Sequence, residues 1–191
     1  MRRIRRIRRR GCGEIPSVKF WRLQCSQWLP KPPAEVFPFF ADAGNLAELT
    51  PPWLSFRILT PRPIPMAEGT LIDYRIGVRG LPMRWRTRIA RWQPPHAFAD
   101  EQLRGPYSTW HHTHTFAAQG GGTLVGDEVR MRPKGGPLAG LLMRLFVRRD
   151  VEKIFRYRSA VLRQRFGGGS EPAQLRWSIA EDVVTTATAT P

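Results

Sequence analysis

MRWRTRIARW, residues 83–92, alternates two kinds of side chain with a period of two. Met83, Trp85, Thr87 and Ile89 point one way, and Arg84, Arg86 and Arg88 point the other. Successive side chains leave a strand on opposite faces, so this strand has one dry face and one wet face. That pattern belongs to an antiparallel sheet covered on one side only. The same period extends on both sides. Residues 70–79 put Ile72, Tyr74, Ile76 and Val78 on one face, and further strands are expected at 56–59, 97–103, 107–116 and 123–131. Gly80-Leu81-Pro82, Pro94-Pro95, Gly105-Pro106 and Gly120-Gly121-Gly122 turn the chain between them. Short strands at even spacing make a meander.

The flanks of the meander read differently. Residues 18–29 form a strand with Leu23, Cys25 and Leu29 on one face. Residues 34–43 form a helix carrying Val36, Phe37, Phe39 and Phe40; Gly44 ends it, and Asn45 caps a second short helix over 46–49. After the meander, Pro137 opens a long helix and Gly167 closes it. Its apolar stripe changes direction. Leu138, Leu142 and Leu145 point one way; Val151, Ile154, Arg158, Val161 and Leu162 point nearly the opposite way at 100° per residue. A break or kink is expected at 146–149. Residues 167–191 begin Gly-Gly-Gly-Ser and end in a Thr/Ala run, and read as an unstructured tail.

Composition bounds what such a domain does. The chain has 191 residues and is 41% hydrophobic, the size of one domain with a full core. No apolar run reaches the roughly 18 residues of a membrane-spanning helix, and no secretory signal follows the charged start. Cys12 and Cys25 make no disulfide framework, and a cytoplasmic location is expected. The net charge is +16, of which the first ten residues, MRRIRRIRRR, supply seven Arg. Residues 17–166 still hold 23 basic and 11 acidic side chains. Only Lys19, Lys31, Lys134 and Lys153 are lysines, so a codon bias toward Arg accounts for much of this charge. Residues 1–16 read as a disordered arm, the product of a mis-assigned start or a weak contact for anionic membranes. Nucleic acid is not the expected partner, and either a monomer or a dimer is compatible with the sequence.

Strand parity selects the residues that face inward. Phe116 places Trp110, His112 and His114 inside; Phe98 carries Asp100 and Gln102 with it; Val125, Val129 and Met131 carry Asp127. Tyr74, Trp85 and Thr87 join them from neighbouring strands. An apolar chamber with a few convergent polar groups has the form of a small-molecule site. Three chemistries fit the histidines. His112 or His114 can act as a general base oriented by Asp127 or Asp100. His-x-His with a carboxylate can hold a metal, although no third ligand stands at a diagnostic spacing. Or the groups only orient a ligand by hydrogen bonds, which is the reading adopted, with no metal and no cofactor. G-x-S-x-G and phosphate-loop patterns do not occur.

The segments SQWLPKPPAEVFPFFADAGNLAELTPPWLSFRILTP (26–61), LRGPYSTWHHTHTF (103–116) and FVRRDVEKIFRYR (146–158) resemble the START-like, polyketide cyclase/dehydrase (SRPBCC) superfamily. That superfamily includes birch-pollen-allergen-type and coenzyme Q-binding START-type domains. The resemblance spans about residues 18–166. It implies an α+β helix-grip fold over 17–166, a curved antiparallel sheet wrapped on a long C-terminal helix. It also implies a cavity for a hydrophobic or amphipathic molecule that is lipid-, polyketide- or quinone-like. The ligand body is expected against Phe37, Phe40, Trp53, Trp85, Phe98, Ile154 and Val161, oriented by Asp100, Gln102, His112, His114 and Asp127. Two alternatives stand beside this: a cyclase or dehydratase using a His–Asp base, with His112, His114 and Asp127 as candidates, and a charge-driven membrane-surface or nucleic-acid module.

Overall fold

A computed structural model describes residues 17–168 and 173–183. The Arg-rich arm and the stretches 169–172 and 184–191 lie outside the described residues. The strands are β1 (Ser17–Leu29), β2 (Arg57–Ile58), β3 (Leu71–Val78), β4 (Leu81–Gln93), β5 (Ala97–Arg104), β6 (Tyr107–Gln119), β7 (Gly122–Pro133) and β8 (Gln174–Val183). They form one antiparallel sheet in the order β2-β3-β4-β5-β6-β7-β1-β8. The helices are α1 (Pro33–Ala41), α2 (Leu46–Leu49), α3 (Ala139–Leu142) and α4 (Arg148–Phe166). The sheet curves around α4, an α+β helix-grip fold.

β4 shows why the sheet has one dry face. Trp85, Thr87 and Ile89 are buried while Arg84, Arg86 and Arg88 are exposed. The outer arginines find carboxylates on neighbouring strands: Arg86 pairs with Asp73 and Arg88 with Glu101. A register shift between Ile89 and Arg91 resets the alternation. Trp92 rather than Arg91 then comes inward, where its ring lies 5.5 Å from Phe37.

A tight contact seats α4 on the sheet. Gln27 of β1 donates from Nε2 to the Ser159 carbonyl at 3.1 Å. Ser159 is itself buried, and its small side chain lets the helix come close. The core divides into two main clusters. One gathers α1 with Phe98, Phe116 and Leu162; the other gathers Leu23, Val129 and Met131 with Val151 and Phe155. A third, smaller group joins Ala43, Ile72 and Ile89.

The long helix breaks near the expected place. A π turn over Met143–Val147 separates α3 from α4. A π turn admits one extra residue, which rotates the next stretch of helix by about 100°. The turn brings Ala139 and Met143 of the first piece onto the same buried side as Val151 and Phe155 of α4. The buried side of the first piece is corrected, however: Ala139 and Met143 are buried, whereas Leu138 and Leu145 are exposed. Asn45 precedes α2, but its side chain does not cap the helix; Nδ2 donates back to the Phe39 carbonyl at 2.9 Å.

The largest correction concerns the C-terminal segment. Residues 174–183 were expected to be unstructured, and they form β8 along β1, with Cys25 opposite Leu175 and Leu23 opposite Trp177. Without β8, β1 would present an open row of backbone donors and acceptors. Leu175 and Trp177 also pack on the second core cluster. Among the described residues no helix is long and apolar enough to cross a membrane.

Candidate functional site

Three neighbouring strands bring one polar cluster together by register. Asp100 of β5 stands opposite His112 of β6, and Phe98 opposite His114. His114 in turn stands opposite Asp127 of β7. All four polar side chains point to the concave face, where α4 adds Arg158 above them. Both histidines and Asp127 are buried, while Asp100 keeps 17% of its side chain exposed.

Asp127 is the hub. Its Oδ1 lies 2.9 Å from His112 Nε2, 2.8 Å from His114 Nδ1 and 3.7 Å from an Arg158 terminal nitrogen. The first is a hydrogen bond. The second is close, but Nδ1 of His114 has no partner at hydrogen-bonding angle. Asp100 Oδ2 faces the opposite ring nitrogens, 3.5 Å from His114 Nε2 and 3.8 Å from His112 Nδ1. The two imidazoles lie 3.9 Å apart, centroid to centroid. Phe98 stacks on His114 at 4.2 Å, and Phe155 meets His112 edge-on at 5.7 Å. The cluster therefore sits where the two main core clusters meet.

The surroundings split the charges. Burial, with His114 alongside, pulls His112 down to about 4 against the attraction of Asp127 and Asp100. Burial also pulls on His114, but the nearby Asp100 and Asp127 carboxylates outweigh it and leave His114 raised. Burial opposes ionisation of Asp127; Arg158, then His112 and His114, overcome it and hold the carboxyl well below the usual range. Asp100 is lowered too: burial is again opposed, first by His114 and then by His112. Cys25 of β1, opposite Asp127 of β7, is pushed up to about 12 by burial, then by Asp127.

Beside the cluster lies a cavity of about 850 Å³ between sheet and α4. Of the fourteen residues expected around a ligand, ten line it: Phe40, Trp53, Tyr74, Trp85, Thr87, Phe98, Asp100, His112, His114 and Ile154. The other four are placed elsewhere. Phe37 and Val161 pack within the first core cluster. Gln102 turns from the cavity to hold the β5–β6 turn: its Nε2 donates to the Tyr107 carbonyl at 2.7 Å, and its Oε1 accepts from the Tyr107 backbone. Its close packing on Gly105, where a Cβ would come within 2.3 Å of Oε1, shows why that turn carries glycine. Asp127 does not line the cavity; it lies behind His112, His114 and Arg158, which do.

The aromatic wall has its own order. Trp85 Nε1 donates to Thr87 Oγ1 at 3.1 Å, and the Tyr74 hydroxyl lies 3.3 Å from the same oxygen. Trp85 stacks on Tyr74 and meets Trp110 edge-on. Thr87 thus satisfies the polar ends of two large rings, so the wall shows the cavity mostly carbon.

Sequence reasoning passed over Arg158, Tyr107 and Trp110 as site residues. Arg158 carried a signal: it shares the inward stripe of the helix with Val151 and Ile154, where a charge needs a buried partner. Asp100 was expected to face inward, but it was not singled out as the carboxylate beside His-x-His, because a third ligand was sought at a diagnostic spacing along the chain. Asp100, His112 and His114 each offer one ligand atom, all within 4.8 Å of one another. Strand register, not sequence spacing, brings Asp100 there.

Residues 29–156 match the family model for polyketide cyclase / dehydrase and lipid transport. The chain belongs to that family. No curated protein matches it by sequence. Solved structures share the fold at low identity. TTHA0849 of Thermus thermophilus is 18% identical, with TM-score 0.62 over 78% of this chain and 99% of that one. A START superfamily protein of Mycobacterium smegmatis is 11% identical, with TM-score 0.55 over 76% and 97%. Norcoclaurine synthase of Thalictrum, solved as a point mutant with a transition-state analogue, is 12% identical, with TM-score 0.57 over 80% and 99%. This polyketide cyclase / dehydrase family member therefore shares with them a helix gripped by a sheet.

Proposed function

We propose that the protein binds one hydrophobic or amphipathic molecule, lipid-, polyketide- or quinone-like, in the cavity between sheet and α4. The observation that carries this is the cavity's form: about 850 Å³ of largely apolar wall, with a buried polar cluster at Asp100, His112 and His114 and further charged side chains such as Arg79, Asp150 and Lys153 on its lining. Such a volume suits a drug-sized ligand, and a few convergent polar groups orient it. Burying roughly 300 Å² of apolar ligand surface is worth on the order of 7 kcal/mol. Association and ordering consume several kcal/mol of that, which leaves micromolar binding.

Ile76 lines the cavity away from the buried polar cluster. Ile76→Trp fills space without touching the histidines. The variant is expected to weaken uptake of an environment-sensitive apolar probe, anilinonaphthalene sulfonate, by about tenfold or more while keeping the wild-type circular dichroism. Equal probe binding in a folded Ile76→Trp variant would place the ligand elsewhere.

A second reading rests on the ring nitrogens that face the cavity. In it the bound molecule is cyclised or dehydrated, with His112 and His114 meeting its reacting carbonyl. His112→Ala would then abolish turnover and leave probe affinity within a few fold. The membrane-surface alternative rests on the Arg-rich arm, outside the described residues.

A further inference from the structure

We infer that Asp100, His112 and His114 form a binding site for one divalent first-row transition-metal ion, with Asp127 hydrogen-bonded to His112 from behind and lying 2.8 Å from His114 Nδ1. The two histidines present different atoms to the same point. His112 turns Nδ1 and His114 turns Nε2 toward Asp100 Oδ2. The opposite nitrogens both face Asp127 Oδ1, at 2.9 and 2.8 Å. The hydrogen bond to Asp127 puts the N–H of His112 on Nε2 and leaves Nδ1 as a bare lone pair; on His114, the tautomer with its N–H on Nδ1, the atom 2.8 Å from Asp127, leaves Nε2 bare in the same way. Three acceptors, two imine nitrogens and one carboxylate oxygen, then converge with no donor among them. A carboxylate behind each ligating imidazole is the outer-shell arrangement of protein metal sites. Here Asp127 serves His112 by a hydrogen bond and stands close to His114, and Arg158 compensates its charge.

The spacing suits an ion. Bonds of about 2.0–2.2 Å in a tetrahedral site put neighbouring donor atoms roughly 3.3–3.5 Å apart. The carboxylate-to-nitrogen separations are 3.5 and 3.8 Å, and all three atoms lie within 4.8 Å of one another. Small side-chain rotations close the site. Two nitrogens and one oxygen select zinc, iron, cobalt or manganese over magnesium or calcium, which take oxygen ligands. Asp100, His112 and His114 line the cavity whereas Asp127 does not, so the remaining coordination positions open toward whatever the cavity holds. The site stands on its own geometry and does not depend on the identity of a ligand.

The test uses untagged full-length protein carrying Cys12→Ser, stripped with chelator and titrated with Zn²⁺ and with Co²⁺. The expected result is one ion per chain retained through gel filtration, with a visible Co²⁺ absorption band of a low-symmetry nitrogen–oxygen site. Asp100→Asn and His114→Gln are each expected to weaken binding about 100-fold. Asp127→Asn is expected to weaken it about 10- to 100-fold, as for an outer-shell carboxylate. His96→Gln, at an exposed histidine, leaves it unchanged. Added Zn²⁺ raises the melting temperature of the parent protein but not of Asp100→Asn, whose fold is checked by circular dichroism. Absence of stoichiometric uptake by the parent protein at micromolar metal overturns the site. So does equal uptake by the parent and a folded Asp100→Asn variant.

Discussion

Arg158 stands where a helix facing a sheet ordinarily carries an aliphatic side chain. It keeps 13% of its side chain exposed and sits over a carboxylate that keeps 8%. Removing one partner of such a pair strands the other charge in a poor solvent, at a cost of about 3 kcal/mol. Arg158→Leu is therefore expected to lower unfolding free energy by about that much in urea denaturation. A loss below about 1 kcal/mol, the figure for an exposed pair, would show that Asp127 does not rely on Arg158. At this scale parity was informative. Phe116 on β6 and Phe98 on β5 were enough to turn His112, His114 and Asp100 inward, because a strand's faces alternate without exception between bulges. Gln102 obeyed the same parity yet went to a turn, since long amide side chains choose partners that parity cannot see. Arg158 was legible as a position and not as a role, because its partner lies 31 residues away in sequence on another element.

At the scale of elements, β8 shows how composition can hide a strand. Leu175, Trp177 and Ile179 alternate with polar neighbours, but three residues between a glycine run and a Thr/Ala run are a weak period. What makes the strand is the free edge of β1, a tertiary circumstance. The π turn is the opposite case. Two apolar stripes that cannot lie on one straight helix demanded a break, and Met143–Val147 provides it. The faces of the first piece were misjudged because leucines were counted as core, whereas Ala139 and Met143 occupy the core side. A chain ending after Gly168 uncovers the β1 edge and loses the packing of Leu175 and Trp177. It is expected to lose about 2 kcal/mol of stability, given that both side chains are only partly buried. It is also expected to associate at concentrations where the full chain does not, as sedimentation would show. Unchanged stability and sedimentation would mean that β8 contributes nothing to the domain.

At the scale of the molecule, the fold leaves a space that its side chains do not fill. The meander, the two short helices and the gripping helix were each visible in the sequence, as periods of two or of 3.6. Strand parity and the family resemblance both pointed to a chamber, but its volume was not legible, because whether facing elements meet or stand apart depends on every side chain between them. Its largely apolar wall and the buried cluster of Asp100, His112 and His114 are the basis of the proposed binding, and the metal inference concerns that cluster alone. The direct measurement is native mass spectrometry of the protein purified gently from its own host, followed by organic extraction. One hydrophobic small molecule per chain is predicted, lost on denaturation and absent from the Ile76→Trp variant. A bare protein mass, with no uptake from lipids, quinones or aromatic polyketides by the wild-type chain, would contradict the binding of such a ligand.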